Sequence, residues 1–153
     1  MSYEKTICNN NIYNKVIDFI KQNNLDIIYL TRFGSHLYGT ENLDSDTDIK
    51  GIFLPRKRDL FLNRVPNCFT KKTNNTNEHN TSIDIDIELY SLHNFLHMTE
   101  RGDTGALDLL FSYTNQNALI YYDTRWQHIL NNKEYLFNPT NTRAFVGYAI
   151  RTS

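Results

Sequence analysis

The stretch that most constrains the fold of this chain is residues 31–54, with the sequence TRFGSHLYGTENLDSDTDIKGIFL. It overlaps residues 26–33, whose β-branched and aromatic side chains predict a buried strand. That strand stops at Gly34 and Ser35, two small residues with which a tight turn can begin. A second strand is predicted over residues 47–54. The predicted order is therefore strand, tight turn, loop and strand.

Two aspartates stand at the start of the second strand, and their spacing favours a cation. Asp46 and Asp48 are two residues apart, so in extended backbone both carboxylates project from the same face. Like charges this close repel each other unless they are solvated or bridged by a cation. Mg²⁺ is the favoured ion, because it takes hard oxygen ligands and is commonly held by one or two carboxylates together with substrate phosphates.

A phosphate site is predicted opposite this pair of carboxylates. Gly34 and Ser35 end the first strand, and residues 35–38 are predicted to form a short helix. Backbone N–H groups at the start of a helix point toward anions. The phosphate and metal sites would then face each other.

The same region can be compared with three other structures, which are a solvated turn, an EF-hand loop and a Walker-type loop. Residues 44–48 also suit a solvated turn, because Asp and Ser form local hydrogen bonds there, and this alternative stays open. An EF-hand loop beginning at Asp44 is excluded, because its sixth residue would be Ile49 instead of Gly and its twelfth Pro55 instead of Glu. A Walker-type loop is excluded, because Gly34 is not followed by a Gly-Lys-Ser/Thr ending.

The spacing of Gly34-Ser35, ten residues and then Asp46-x-Asp48 resembles the signature of the DNA polymerase β-like nucleotidyltransferase superfamily. The longer string GSHLYGTENLDSDTDIKGIFLP is similar to the bacterial and phage branch of predicted nucleotidyltransferases, some of which are associated with RNA repair. The resemblance spans residues 25–111 and includes an acidic strand leading into a helix at residues 86–95.

Beyond that strand the sequence departs from the branch. The branch usually carries Gly-Asn-Pro and then Leu-Glu-Leu-Leu-Phe, whereas this chain has Gly102-Asp103-Thr104 and Leu107-Asp108-Leu109-Leu110-Phe111. The first motif is the specific one, because several spaced elements coincide in it.

A second acidic strand is predicted over residues 82–90, where isoleucine and leucine alternate with Asp84, Asp86 and Glu88. The alternation also suits a solvent-facing sheet edge. Beside the strand of Asp46 and Asp48, one of these carboxylates would complete a three-acid metal site. Asp86 is preferred because its spacing fits the strand of the resembling branch, with Asp84 and Glu88 as fallbacks.

The resemblance implies nucleotidyl transfer from an NTP to a hydroxyl, with release of pyrophosphate. The acceptor would be an RNA end, a protein side chain or a small molecule. Two Mg²⁺ ions, or Mn²⁺, would be held by three carboxylates, those of Asp46, Asp48 and Asp86. The nucleotide would contact Gly34, Ser35, Lys50 and, in the basic run of residues 55–58, Arg56.

Two other classes of function remain open. One is a catalytically silent nucleotide-binding or interaction module, such as an antitoxin-like partner, although the complete set of acids weighs against it. The other is a two-metal phosphohydrolase, whose metal requirements are similar. Pyrophosphate release would separate a transferase from a hydrolase.

Composition limits the cell compartment and the type of partner. A chain of 153 residues fits one domain, and its formal net charge of −1 does not suggest a nucleic-acid coat protein. Cys8 and Cys68 are too few for a disulfide framework. No apolar run reaches the length of a membrane span, which is about 20 residues. A soluble, cytoplasmic protein is therefore expected.

The predicted fold class is α/β (α+β), a small mixed sheet with helices on one face and a helical C-terminal part. Further helices are predicted at five places, and a loop is predicted over residues 70–81. The helices cover residues 10–23, 91–101, 104–111, 124–131 and 139–150.

Two further expectations concern organisation and metals. Residues 1–115 are predicted to form the catalytic core and residues 116–153 a short helical extension. The last helix would need a partner surface, which favours a homo-oligomer or a helical partner protein. His93 and His97 lie one helical turn apart, but no third zinc ligand is evident nearby.

Overall fold

The computed structural model describes residues 11–41, 45–73 and 84–136. Within these ranges, helices and strands follow one another along the chain, with single 3₁₀ turns at Ser112–Thr114 and Lys133–Tyr135. The elements are α1 (Asn11–Gln22), β1 (Asp26–Arg32), α2 (Ser35–Tyr38), β2 (Thr47–Leu54), α3 (Lys57–Phe61), β3 (Cys68–Lys72), β4 (Ile85–Ser91), α4 (Leu92–Glu100), α5 (Thr104–Phe111), β5 (Leu119–Tyr122) and α6 (Thr124–Asn131).

The strands of the described residues form one five-stranded mixed sheet in the order β3-β4-β2-β1-β5. The neighbours β2 and β4 are parallel, and the other three pairs are antiparallel. A parallel pair cannot be joined by a tight hairpin, and here the chain passes through α3 and β3 between the two strands. The predicted α/β class with a small mixed sheet is confirmed.

Helices cover both faces of this sheet, whereas the sequence predicted cover on one face. The interior strand β1 is buried from Ile27 to Thr31, so both of its faces need apolar partners. Helix α1 packs on one face through Val16, Phe19 and Ile20. Helices α4, α5 and α6 pack on the other face, in a cluster that includes Ile28, Tyr29, Ile52, Phe95, Leu109, Leu110 and Trp126.

The face beneath α4–α6 changes character along its length. In β2, side chains at alternate positions share this face, and Ile52 is fully buried in the cluster with the helices. Toward the start of the strand, Asp48 and Lys50 occupy the same face and stay partly exposed. The helices therefore cover one half of this sheet face, and the acidic half is open to ligands.

Most predicted elements occur as expected from local sequence. The short helix at residues 35–38, the strand at 47–54 and the helices at 104–111 and 124–131 have the predicted bounds. Two of the predicted helices begin at a residue whose side chain caps them. The Ser91 hydroxyl accepts the Asn94 N–H at 3.1 Å, and the Asp123 carboxylate accepts the Arg125 N–H at 2.8 Å.

Two strands were missed, and one predicted helix lies outside the described residues. Residues 70–72 belong to β3 and not to the predicted loop, and β5 had no sequence signal strong enough to predict it. The helix predicted at 139–150 falls outside the described ranges. No helix in the described part of the chain is both long and apolar enough to cross a bilayer.

Strand β5 and helix α6 pack with the residues that precede them in the chain. Strand β5 pairs with β1, with Tyr122 opposite Tyr29. Trp126 of α6 is fully buried and stacks on Tyr29 with ring centroids 4.4 Å apart. Residues 116–136 thus complete the sheet and its core.

Replacing Trp126 with Ala tests this integration. We expect the free energy of unfolding to fall by about 3–5 kcal/mol, because a large buried side chain would leave a cavity against Tyr29 and Phe95. Chemical denaturation measures the loss. Tyr135→Ala is the matched control, because Tyr135 is 79% exposed and its removal should change stability by less than about 0.5 kcal/mol. Equal effects would show that α6 is peripheral.

Candidate active site

The turn after β1 lies against the carboxylate of Asp48 in β2. The Phe33 N–H donates to the Asp48 carbonyl oxygen at 2.9 Å, which keeps the chain beside β2. Gly34 then adopts φ 59° and ψ −137°, a conformation that L side chains disfavour. A Cβ atom at Gly34 would overlap Oδ2 of Asp48. The close approach of this backbone to the carboxylate therefore requires glycine.

Helix α2 is held in place by the side chains of two residues from later in the chain. Asn115 Nδ2 donates to the Leu37 carbonyl oxygen at 2.9 Å, and the Tyr38 hydroxyl donates to Asp108 Oδ2 at 2.7 Å. The partners lie 70 and 78 residues later in the chain, so local sequence patterns could not identify them. They fix the Gly34–Ser35 turn relative to α5.

The carboxylates of two neighbouring strands stand side by side. Asp48 of β2 is in register with Asp86 of β4, so both side chains project from the same sheet face. Asp46 directly precedes β2, and its charge acts on Asp48. Burial, followed by the like charges of Asp46 and Asp86, raises the pKa of Asp48. This cluster would be stabilised by an added cation.

Two lysines partly balance this negative charge. Lys72 Nζ lies 2.6 Å from Asp86 Oδ2, although the lysine side chain is 65% exposed. Lys50 Nζ lies 3.0 Å from Glu88 Oε2. Lys72 was not predicted as a site residue, because its pairing with β4 depends on β3, which the sequence pattern did not reveal.

Glu88 is engaged by groups of its own. Burial acts to raise its pKa, but the hydrogen bond from the Tyr90 hydroxyl at 2.7 Å and the pairing with Lys50 outweigh burial and lower the pKa. Asp84 directly precedes β4, and its carbonyl oxygen accepts the Thr47 N–H at 3.0 Å. Of the three acids of this strand, Asp86 is the one in register with Asp48.

A pocket of about 190 Å³ opens at this place. Its lining consists of Phe33, Asp48, Ile49, Lys50, Lys72, Asp86 and Glu88. Lys50 Nζ lies 4.3 Å from the centre of the Phe33 ring, which is the range of a cation–π contact. The volume is below that of pockets that enclose a whole drug-sized ligand, which are about 300–1,000 Å³. It suits the phosphate end of a larger molecule.

The donor set fits a divalent cation that is shared with a substrate. Among the residues that the structure describes, no three side chains of His, Cys, Asp or Glu are grouped closely enough to hold a metal on their own. Mg²⁺ does not require such a cage, because it takes one or two carboxylates and completes its shell with phosphates and water. Burial is the largest cause of the raised pKa of Asp48, and the like charges of Asp46 and Asp86 add to it, so a cation would relieve that repulsion.

The two histidines of α4 stand apart as a pair. The rings of His93 and His97 meet edge to face with centroids 4.7 Å apart, and His97 Nδ1 lies 3.6 Å from Glu100 Oε2. Within the described part of the chain, no third zinc ligand is grouped with them.

One residue expected at the nucleotide lies elsewhere. Arg56 follows β2 at its far end, and Leu54 lies about 20 Å of extended strand away from Asp48. Its side chain lines a different pocket. The structure therefore brings Gly34, Asp46, Asp48, Lys50 and Asp86 to one end of the sheet and places Arg56 at the other.

Comparison with known proteins gives the family. The family described as "RNA repair pathway DNA polymerase beta family" matches residues 8–151. The chain belongs to this family. The match covers all of the described residues, so the turn at Gly34 and the acids of β2 and β4 lie within the polymerase β-like family region.

A phage protein is similar over most of the chain. It is an uncharacterized 38.9 kDa protein from the nrdC-mobD intergenic region of Enterobacteria phage T4, 41% identical over 118 residues. The alignment covers 76% of this chain and 34% of the phage protein, so the chain spans about a third of the length of that relative.

Substitution of Gly34 tests the close approach to Asp48. Gly34→Ala should destabilise the protein more than Gly39→Ala, although both glycines have positive φ, 59° and 67°. A Cβ at Gly39 meets nothing within 4 Å, so that variant should lose only the conformational term of about 1–2 kcal/mol. Thermal denaturation of both variants gives the comparison. Equal losses would contradict a contact between the turn and the carboxylate.

Removal of the Asp48 charge should stabilise the metal-free protein at neutral pH. Folding raises the pKa of Asp48 above its ordinary value of 3.8, so the ionised carboxylate is disfavoured by folding. Asp48→Asn should therefore have a higher free energy of unfolding at pH 7 in EDTA. The gain should shrink as the pH falls through the raised pKa and vanish below 3.8. Urea denaturation across this range measures it, and a variant less stable at pH 7 would contradict the expectation.

Proposed function

We propose that this chain is a nucleotidyltransferase that moves an NMP from an NTP to a hydroxyl of an RNA end. The observation that carries the proposal is the in-register pair Asp48 and Asp86, with the Gly34 backbone against Asp48. The family, whose name refers to RNA repair, supports both the reaction class and RNA as the acceptor.

Asp46, Asp48 and Asp86 would hold Mg²⁺, or Mn²⁺, as two ions shared with the triphosphate. When bound, the cations would polarise the phosphates and lower the pKa of the attacking hydroxyl. The carboxylates supply hard, negatively charged oxygens at one edge of a pocket that is open to solvent. The like-charge repulsion that raises the pKa of Asp48 would be relieved by this binding.

The chain's own groups would orient the reacting atoms. Gly34 and Ser35 present backbone at the start of α2, directly beside Asp48, and would face the β- and γ-phosphates. Lys50 lines the same pocket and adds a positive charge for the phosphates. Arg56 is not part of this proposal, since it lies at the opposite end of β2.

The proposed reaction exchanges one bond at phosphorus for another. The acceptor hydroxyl oxygen would form a bond to the α-phosphorus, and the bond from that phosphorus to the β-phosphate oxygen would break. Pyrophosphate would leave with the electron pair of that bond. Asp86, partly exposed at the pocket, would accept the proton of the hydroxyl. The cytoplasmic location and the self-association expected from the sequence stay predictions.

The decisive assay incubates the chain with each α-labelled NTP, Mg²⁺ and single-stranded RNA, and measures label on the RNA and pyrophosphate release. Asp86→Asn should lower the rate by more than about a hundredfold. The loss of a metal ligand should reduce activity at least as much as the loss of a residue that only orients such a ligand. Asp84→Asn is the matched control, two residues away on the same strand, and should retain most activity.

Other outcomes of this assay discriminate among functions. Release of inorganic phosphate without labelled RNA would indicate a phosphohydrolase and contradict the proposal. If Asp84→Asn is inactive and Asp86→Asn is active, the third metal ligand is Asp84, one strand period of two residues before Asp86. Equal NTP binding by calorimetry in Mg²⁺ and in EDTA would contradict a metal-bridged triphosphate.

A further inference from the structure

A second surface lies at the opposite end of the sheet from the carboxylates. Helix α3 and the turn after it expose three consecutive apolar side chains, and Leu60, Phe61 and Leu62 are 46%, 88% and 47% exposed. Soluble proteins rarely leave contiguous large apolar side chains in water unless a ligand covers them. We refer to residues 55–64 as the α3 surface.

A groove adjoins this surface. Its cavity volume is about 670 Å³, and its apolar lining comes from Leu54, Pro55, Leu60, Leu92 and Leu96. Pockets of about 300–1,000 Å³ are the usual size for small ligands and for single groups of larger ones. Phe61 is not part of the groove lining, so it offers a separate contact beside the groove.

The charge of the α3 surface is strongly positive. It contains a single acid, Asp59, and four basic residues, Arg56, Lys57, Arg58 and Arg64. Within the described ranges, none of these four side chains forms an ion pair with a carboxylate. By contrast, Arg125 on the groove wall is paired with Asp26 and Asp123, at 2.6 Å each. The four positive charges of the α3 surface are thus available to an external anion.

We infer that the α3 surface binds single-stranded RNA. The phosphates would pair with the four basic side chains, one base would stack on Phe61, and another would enter the groove. Proteins bind single strands through this combination of basic groups with exposed aromatic and apolar surface. An acidic amphipathic helix could use the groove and the charges, but unlike RNA it offers no base to stack on Phe61, which lies outside the groove lining.

The inference rests on the proposed function only in naming RNA as the acceptor. Since about 20 Å of β2 separates Leu54 from Asp48, the α3 surface would hold a part of the RNA remote from the reacting end. It would raise the affinity for long acceptors without taking part in the chemistry.

The test measures binding of a fluorescein-labelled, mixed-sequence single-stranded RNA by anisotropy, in EDTA and without NTP. Phe61→Ala should weaken binding about tenfold, the size of one base–aromatic stacking contact. Lys57→Glu should weaken binding further and reduce the slope of log K against log salt by about one or two. The matched controls are Tyr135→Ala and Arg101→Glu, which change an exposed aromatic residue and an exposed basic residue outside α3. Both should bind RNA as the wild type does.

Three results would overturn the inference. They are absence of RNA binding by folded protein, equal binding by Phe61→Ala and wild type, and displacement of the RNA by poly-L-glutamate at matched charge concentration. The last result would assign the surface to an acidic protein. Calorimetry of NTP with Mg²⁺ on the same variants separates the two proposals. If the wild type does not bind NTP, the proposed function is contradicted but the RNA inference is not. The α3 variants should bind NTP as the wild type does.

Discussion

The candidate site depends on the parallel pairing of β2 with β4. This pairing puts Asp48 opposite Asp86 and Lys50 opposite Glu88. A slip of one residue would turn every acid of β4 to the opposite face, because side chains alternate along a strand. What prevents the slip is the apolar face, where Ile49, Ile87 and their neighbours are buried beneath α1. Hydrophobic packing on one side of the sheet thus fixes the position of the carboxylates on the other.

The same arrangement is locally unfavourable for stability. Asp48 is half buried beside two like charges, and Gly34 stands in a backbone conformation that few residues accept. The surrounding structure must compensate, and it does so with a core that includes the stacked rings of Tyr29 and Trp126. Local rules are commonly broken at functional sites in this way, with the rest of the fold supplying the stability. The position of the strain therefore agrees with the position of the family motif.

The sequence predicted what short-range patterns encode. The bounds of β2 and α2 depend on residues that are close together in sequence. The capping contacts of Ser91 and Asp123 are local in the same sense. The acids Asp46 and Asp48 could also be found, because their spacing and their distance from Gly34 are local. The register that joins Asp86 to them became visible only in the folded sheet.

What the sequence missed depends on long-range pairing. Strand β3 is a half-exposed edge strand that ends in two lysines, and β5 has only four residues, so neither carries the apolar alternation of an interior strand. Lys72 was missed with β3. The sequence analysis assigned Arg56 to the nucleotide site because it is close to Asp48 in sequence. Because β2 is extended, however, each residue after Asp48 lies farther from that carboxylate.

Net charge conceals how this domain is organised. The formal charge of −1 averages an acidic end around Asp48 and Asp86 with a basic end on α3. These ends are about 20 Å apart along β2, while the Debye length at physiological ionic strength is about 8 Å. Each end therefore presents its own field to an approaching molecule, and the two hardly cancel. A near-neutral composition argues against a uniformly basic coat for nucleic acid, but it does not argue against local contact with phosphates. The separation also bears on the proposed reaction, because the basic side chains of α3 would not compete with a cation held near Asp48 and Asp86.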